Sequence, residues 1–182
     1  MPRGGGGRGS RGASRGRGSS RGRGRGGRQS HFSGPPAPRP SARHISLNKS
    51  IGQQTTAASL LAFVETEALS SLNLVNCTTS LQRLAKLAVG NSDTAPLEEL
   101  EPLVARAAEC FAAERAQPRQ VAGCLWALAK LKAAKIAAML VPAVLRAGLA
   151  LEPAWFKSQE ASMAVWSLGK LCASRFGVEV RV

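Results

Sequence analysis

From about residue 55 onward, apolar side chains recur at the three-to-four-residue spacing of a helix face, and no stretch alternates with the period of two that a strand requires. The clearest instance is Val121-Ala122-Gly123-Cys124-Leu125-Trp126-Ala127-Leu128-Ala129-Lys130-Leu131, echoed by Ala161-Ser162-Met163-Ala164-Val165-Trp166-Ser167-Leu168-Gly169-Lys170-Leu171. Trp126 and Trp166, Leu128 and Leu168, and Lys130 and Lys170 each stand forty positions apart. A fainter copy, Arg83-Leu84-Ala85-Lys86-Leu87, precedes the first by forty-four. Pro102-Leu103-Val104-Ala105-Arg106-Ala107 likewise matches Pro142-Ala143-Val144-Leu145-Arg146-Ala147 forty positions on. Two independent matches at one period are the signature of stacked helical units.

The pattern predicts helices over about 55–70, 76–89, 96–115, 118–133, 135–150 and 156–174. In the first, Ala58, Leu61, Ala62, Glu65 and Leu69 trace the expected buried face, with Leu60 and Phe63 alongside. Gly90-Asn91 supplies a stop and Ser92-Asp93-Thr94 a cap, followed by Glu98, Glu99 and Glu101 in turns where a helix dipole favours acids. Pro102 either begins the main helix or bends it after one turn; Pro118 suits a first turn, and Pro153 closes the loop before the last helix. The expected fold is all-α, an α-solenoid of antiparallel helix pairs. Its last helix lacks a successor, so a protein partner or further repeats are expected at that edge.

Charge divides the chain. Residues 1–43 hold eleven arginines and no acid, and subtracting them from the chain's +14 leaves about +3 for the rest. Residues 1–47 read as a disordered Arg-Gly-rich tail followed by a Pro-rich linker, and 48–182 as the helical domain. Glycine at every second position forbids the amphipathic helix of a mitochondrial presequence. In the tail, Arg3, Arg8, Arg11, Arg15, Arg17, Arg21, Arg23, Arg25 and Arg28 are candidate RNA contacts. Guanidinium groups meet phosphates and stack on exposed bases, while glycine lets the backbone follow a single strand.

No apolar run reaches the ~18 residues of a membrane span, so a soluble protein is expected. The spacing of Cys77, Cys110, Cys124 and Cys172, with both histidines in the tail region, implies reduced thiols and no metal site. Gly169-Lys170 precedes leucine inside a helix, so there is no phosphate-binding loop, and no catalytic residues or cofactor are expected.

Phe156-x-x-Gln159, followed seven residues later by Trp166-x-Leu168-Gly169-Lys170-Leu171, resembles the octotricopeptide-repeat pattern Phe-x-x-Gln…Trp-Ala-Leu/Phe-Ala-Lys-Leu. Similar helical repeats occur in FAST kinase-like proteins and in RNA-editing substrate-binding complexes. The resemblance covers about residues 72–174, with Ala116 and Arg119 replacing the Phe and Gln in the middle copy, and Leu72, Val75 and Gln82 replacing Phe, Gln and Trp in the first. It implies RNA binding in organellar RNA processing, stability, editing or translation, and a mitochondrial or plastid address; the Arg-Gly tail points instead to nucleus or cytoplasm.

Within the repeats, Leu84, Trp126, Leu128, Trp166 and Leu168 are expected in the core, although base stacking is another use for the tryptophans. Lys86, Lys130 and Lys170 read either as a ladder of phosphate contacts or as cations favoured at helix C-termini. Arg119, Gln120 and Gln159 open successive helices, where they could hold phosphates or base edges, or cap the helix. Arg106 and Arg146 raise the same choice between phosphate contact and a structural use, the covering of apolar surface by a long basic side chain being favoured. The expected activity is binding of single-stranded RNA. The alternative is an armadillo- or HEAT-like protein scaffold whose tail solubilises the chain or is methylated.

Overall fold

The computed structural model describes residues 40–67, 69–90, 97–132 and 134–175. Among these there are seven α-helices and no strand: α1 (Ala42–Gln53), α2 (Ala57–Thr66), α3 (Leu74–Gly90), α4 (Glu101–Ala113), α5 (Pro118–Lys130), α6 (Ala134–Leu149) and α7 (Ser158–Arg175). Short 3-10 turns at Leu69–Ser71, Leu97–Leu100 and Pro153–Trp155 lead into α3, α4 and α7. No described helix is long and apolar enough to cross a membrane.

α1 differs from the expectation. It begins at Ala42, inside the stretch read as linker and ahead of the boundary placed at residue 48. Ser41 starts it, its hydroxyl accepting from the His44 N–H at 3.2 Å. Only Leu47 and Ile51 are buried, one turn apart, so the polar remainder hid the helix. Arg83 Nε and Nη2 donate to the Gln54 carbonyl at 3.0 and 2.7 Å, tying the end of α1 to α3. Asn76 Nδ2 donates to the His44 carbonyl at 2.9 Å, closing a second link between the same helices.

The next helix is shorter than expected, ending at Thr66, and its buried face is Leu60, Leu61 and Val64. Ala58, Ala62 and Glu65, assigned to the core from spacing, are exposed instead. They line an open groove of about 410 Å³ between α2 and the start of α4. The segment is apolar on most sides, so periodicity alone did not choose a face; alanine is the residue that tolerates either. Thr56 and Ser59 cap this helix reciprocally.

The later helices begin and end close to their expected bounds. Pro102 stands in the first turn of α4, after the Leu97–Leu100 turn, where a missing N–H costs nothing. Pro118 opens α5 in the same way. Pro142 lies inside α6. The cap expected at residues 92–94 is outside the described residues.

Helices α1, α3, α5 and α7 pack one against the next, and α4 lies against α6 beside them. The core is richest where α3 and α5 meet: Leu81, Leu84, Ala85, Ala127 and Leu128 are completely buried. At Gly123 the Gln82 carboxamide of α3 fills the space that a Cβ would take, so any larger residue there displaces that side chain. Fully burying leucines such as these contributes about 1.5–3 kcal/mol apiece relative to exposure.

Candidate nucleic-acid interface

Three helices begin around one cleft of about 790 Å³. α1 contributes Ser41, His44, Ile45, Asn48 and Lys49; the start of α3, Asn73 and Val75; the α4–α5 connection and first turn of α5, Glu114, Arg115, Gln117, Arg119 and Gln120. The N-terminus of a helix carries a positive partial charge, so three starts at one cleft favour anions there, with the His44, Leu74 and Asn76 N–H groups already taken by the Ser41, Glu114 and Asn73 side chains. Lys49, Arg115 and Arg119, all exposed, add permanent positive charge. The one carboxylate there, Glu114, is already engaged: its Oε1 accepts from the Leu74 N–H at 3.0 Å and caps α3.

Arg115 also connects the cleft to an aromatic ring. Its guanidinium carbon lies 5.5 Å from the centroid of Trp155, in the turn before α7. Cations beside a half-buried aromatic ring are the elements from which single-strand sites are built, because every base has a π-face and every nucleotide a phosphate.

The structure separates the residues nominated from sequence into two groups. Arg119 lies in the cleft, whereas exposed Lys86 and Lys130 and half-buried Lys170 lie near the other ends of α3, α5 and α7. Arg119 and Lys130 are eleven positions apart on α5, about 16 Å along the axis, so one nucleotide cannot span both. Lys130 Nζ sits 5.2 Å from the centroid of Trp166, forming a cation–π pair of its own. The tail arginines lie outside the described residues.

Gln120 is a cap. It is buried, and its Oε1 accepts from the Gln117 N–H at 2.7 Å while its own N–H donates to the Gln117 carbonyl at 2.9 Å. Forty positions on, Glu160 Oε2 accepts from the Lys157 N–H at 3.0 Å, so the recurrence of a polar residue here is explained by helix initiation. Gln159 is exposed in the first turn of α7, away from the residues that line the cleft.

The core nominations divide as well. Leu84 and Leu128 are fully buried, and Trp126 and Leu168 are half-buried against the core. Trp166 is corrected: it is 38% exposed. Trp126 is flanked by later helices, whereas Trp166 lies on α7, which packs mainly on α5 and only lightly on α6.

Arg106 is a structural tie. Its Nε and Nη2 donate to the Leu72 carbonyl at 3.1 and 2.9 Å, and Nη2 also reaches the Ser70 carbonyl at 3.1 Å. A 2.9 Å ion pair with Glu109 orients the group and raises its pKa. Cys110 donates to the same Leu72 carbonyl at 3.6 Å. A hydrogen bond between the Cys77 and Cys110 thiols holds Cys110 below its ordinary pKa and Cys77 well above it, burial adding to the rise at Cys77. Burial alone pushes the Cys124 thiol up. Among the described residues no cluster of three or more metal-binding side chains forms.

Sequence reasoning missed Lys49, His44, Arg115 and Trp155. A signal existed for the last two, since Arg115 and Trp155 are themselves forty positions apart, each just before a helix of the α3–α5–α7 row. Compared with protein-family models, curated proteins and solved structures, the chain matches none.

Proposed function

We propose that this chain is a non-enzymatic binding module for single-stranded RNA, a short α-solenoid of antiparallel helix pairs with an Arg-Gly arm. The observation that carries the reading is the cleft: three helix N-termini converge on it with Lys49, Arg115 and Arg119 at its rim and Trp155 against Arg115. The arm supplies salt-sensitive, weakly selective attachment through its arginines, and the cleft supplies shape and a stacking surface. The resemblance to octotricopeptide repeats supports the same conclusion and adds organellar RNA processing, stability, editing or translation as the setting.

The test is fluorescence anisotropy of a labelled single-stranded oligoribonucleotide with the full chain across a salt series. Engaging about six phosphates gives a log–log salt slope near −4. Replacing Arg115 and Arg119 by alanine removes two phosphate contacts and flattens the slope by about 1.4. Weak binding of a folded protein even at low salt would overturn the reading in favour of an armadillo- or HEAT-like protein scaffold. Binding that survives the double substitution with its slope unchanged would move the contacts to the arm alone.

A further inference from the structure

Behind the cleft, α3 and α4 bring two thiols together in the core. Cys77, in the first turn of α3, and Cys110, near the end of α4, share a hydrogen bond and are at most 2% exposed. Each is one helical turn from a residue that lines the cleft. The Cys77 N–H donates to the Asn73 carbonyl at 3.0 Å, and the Cys110 carbonyl accepts from the Glu114 N–H at 2.8 Å. Glu114 in turn accepts from the Leu74 N–H, so the two thiols and this cap join the same two segments. The surroundings differ from those of an inert core thiol. Burial alone acts on Cys124, with no second thiol beside it. Cys110 stands one turn after Arg106, whose side chain is 26% exposed, and both donate to the Leu72 carbonyl. The hydrogen bond from Cys77, with the Arg106 guanidinium adding to it, favours the Cys110 thiolate, the form that reacts with oxidants.

We propose that Cys77 and Cys110 are a reversible redox site that closes to a disulfide and clasps α3 to α4 behind the cleft. A peroxide is the oxidant that fits, being little larger than water where Cys110 is almost enclosed. The Cys110 thiolate attacks one peroxide oxygen: the S–O bond forms, the O–O bond breaks, and the departing hydroxide takes up the thiol proton as water. The Cys77 sulfur then attacks the Cys110 sulfenic sulfur. The S–S bond forms, the S–O bond breaks, and the hydroxide leaves as water with the Cys77 proton. Two thiols and one hydrogen peroxide thus give one disulfide and two waters. Thiols within hydrogen-bonding reach close to a disulfide by side-chain rotation and a small approach of the helices. Once closed, the bond holds the segments that carry Asn73 and Glu114 together; its effect on RNA rests on the reading of the cleft above, whereas the bond itself does not.

The test uses the full chain in a Cys172→Ser background, which removes the exposed thiol. It is treated with a small excess of hydrogen peroxide under native conditions, alkylated in denaturant, and mapped by mass spectrometry after proteolysis without reduction. The expected product has lost two hydrogens and yields a linked peptide joining Cys77 to Cys110, which dithiothreitol separates. Cys124→Ala forms the same link, and Cys77→Ala, folded by circular dichroism, keeps its hydrogens. Closing a loop of about 33 residues raises the melting temperature of the oxidised chain by roughly 10 °C over the reduced one. No RNA enters these measurements, so failure here is distinct from failure of the RNA-binding reading. Cys77 and Cys110 recovered unlinked, a link to Cys124, or an unchanged or lowered melting temperature overturns the proposal.

Discussion

Two helical glycines provide a matched experiment on how closely α3 and α5 approach. Replacing a mid-helix glycine by alanine gains about 1 kcal/mol of helix propensity where the new methyl group has room. At Gly169 the Cβ enters open space, so the whole gain is expected, equivalent to a melting-temperature rise of roughly 4 °C for a domain of this size. At Gly123 the Cβ falls on the Gln82 amide nitrogen and lies 2.9 Å from Gln82 Cδ, so the half-buried carboxamide must swing away. The carboxamide is the far end of a flexible side chain, so moving it costs less than core overpacking and offsets only part of the propensity gain of about 1 kcal/mol. Urea unfolding followed by helical circular dichroism, at low protein concentration, should show Gly169→Ala stabilised by more than Gly123→Ala. Gln82→Ala opens the space, so in that background Gly123→Ala gains the full increment, with a coupling energy of up to about 1 kcal/mol. Equal stabilisation at both glycines, or no coupling to Gln82, would refute the packing of α3 on α5 described above.

Arg106→Met keeps the aliphatic stem but releases the Leu72 and Ser70 carbonyls, and should cost about 1–2 kcal/mol in the same unfolding assay. Glu109→Gln, which removes only the exposed half of an ion pair, should change stability by less than about 0.5 kcal/mol. Because burial raises the Cys124 pKa, its neutral thiol is favoured in the folded chain; this stabilisation is complete below the unfolded thiol value of about 8.5 and is lost as pH rises above it. Stability measured from pH 7 to pH 10 should therefore fall, and Cys124→Ala should lessen the fall even though it lowers stability overall. Native alkylation with iodoacetamide, read by mass spectrometry, should modify exposed Cys172 while Cys77, Cys110 and Cys124 react only on unfolding.

How legible the fold was depended on how each helix declares itself. Helices α3 to α7 are punctuated by Gly90, Pro102, Pro118 and Pro153, and their apolar residues recur at a fixed spacing, so most of their bounds could be read to within three residues, the start of α4 at Glu101 rather than 96 being the exception. α1 buries only Leu47 and Ile51 and looks like linker until Asn76 and Arg83 of α3 are seen to grip its carbonyls. The buried face of α2 was misassigned because its alanines fit either environment. The cleft was the least legible feature. Arg119 could be nominated from its place at a helix start, but Lys49, Arg115 and Arg119 become neighbours only when the starts of α1, α3 and α5 converge. Trp166 shows the opposite failure: its sequence context equals that of Trp126, and only the packing around α7 distinguishes an exposed ring from a covered one.

The consecutive packing of α1, α3, α5 and α7 also governs how the molecule comes apart. Each helix in the row touches mainly its predecessor and successor, so cooperativity is passed from neighbour to neighbour. α1 and α7 end the row, each held mainly from one side and burying few apolar residues completely, so both open with less free energy than α3 and α5. The amides of α3 and α5, around Leu81, Leu84 and Leu128, exchange only when the whole row is lost. Hydrogen exchange should therefore be slowest in α3 and α5 and faster in α1 and α7, and partial unfolding that sheds α1 opens one wall of the cleft.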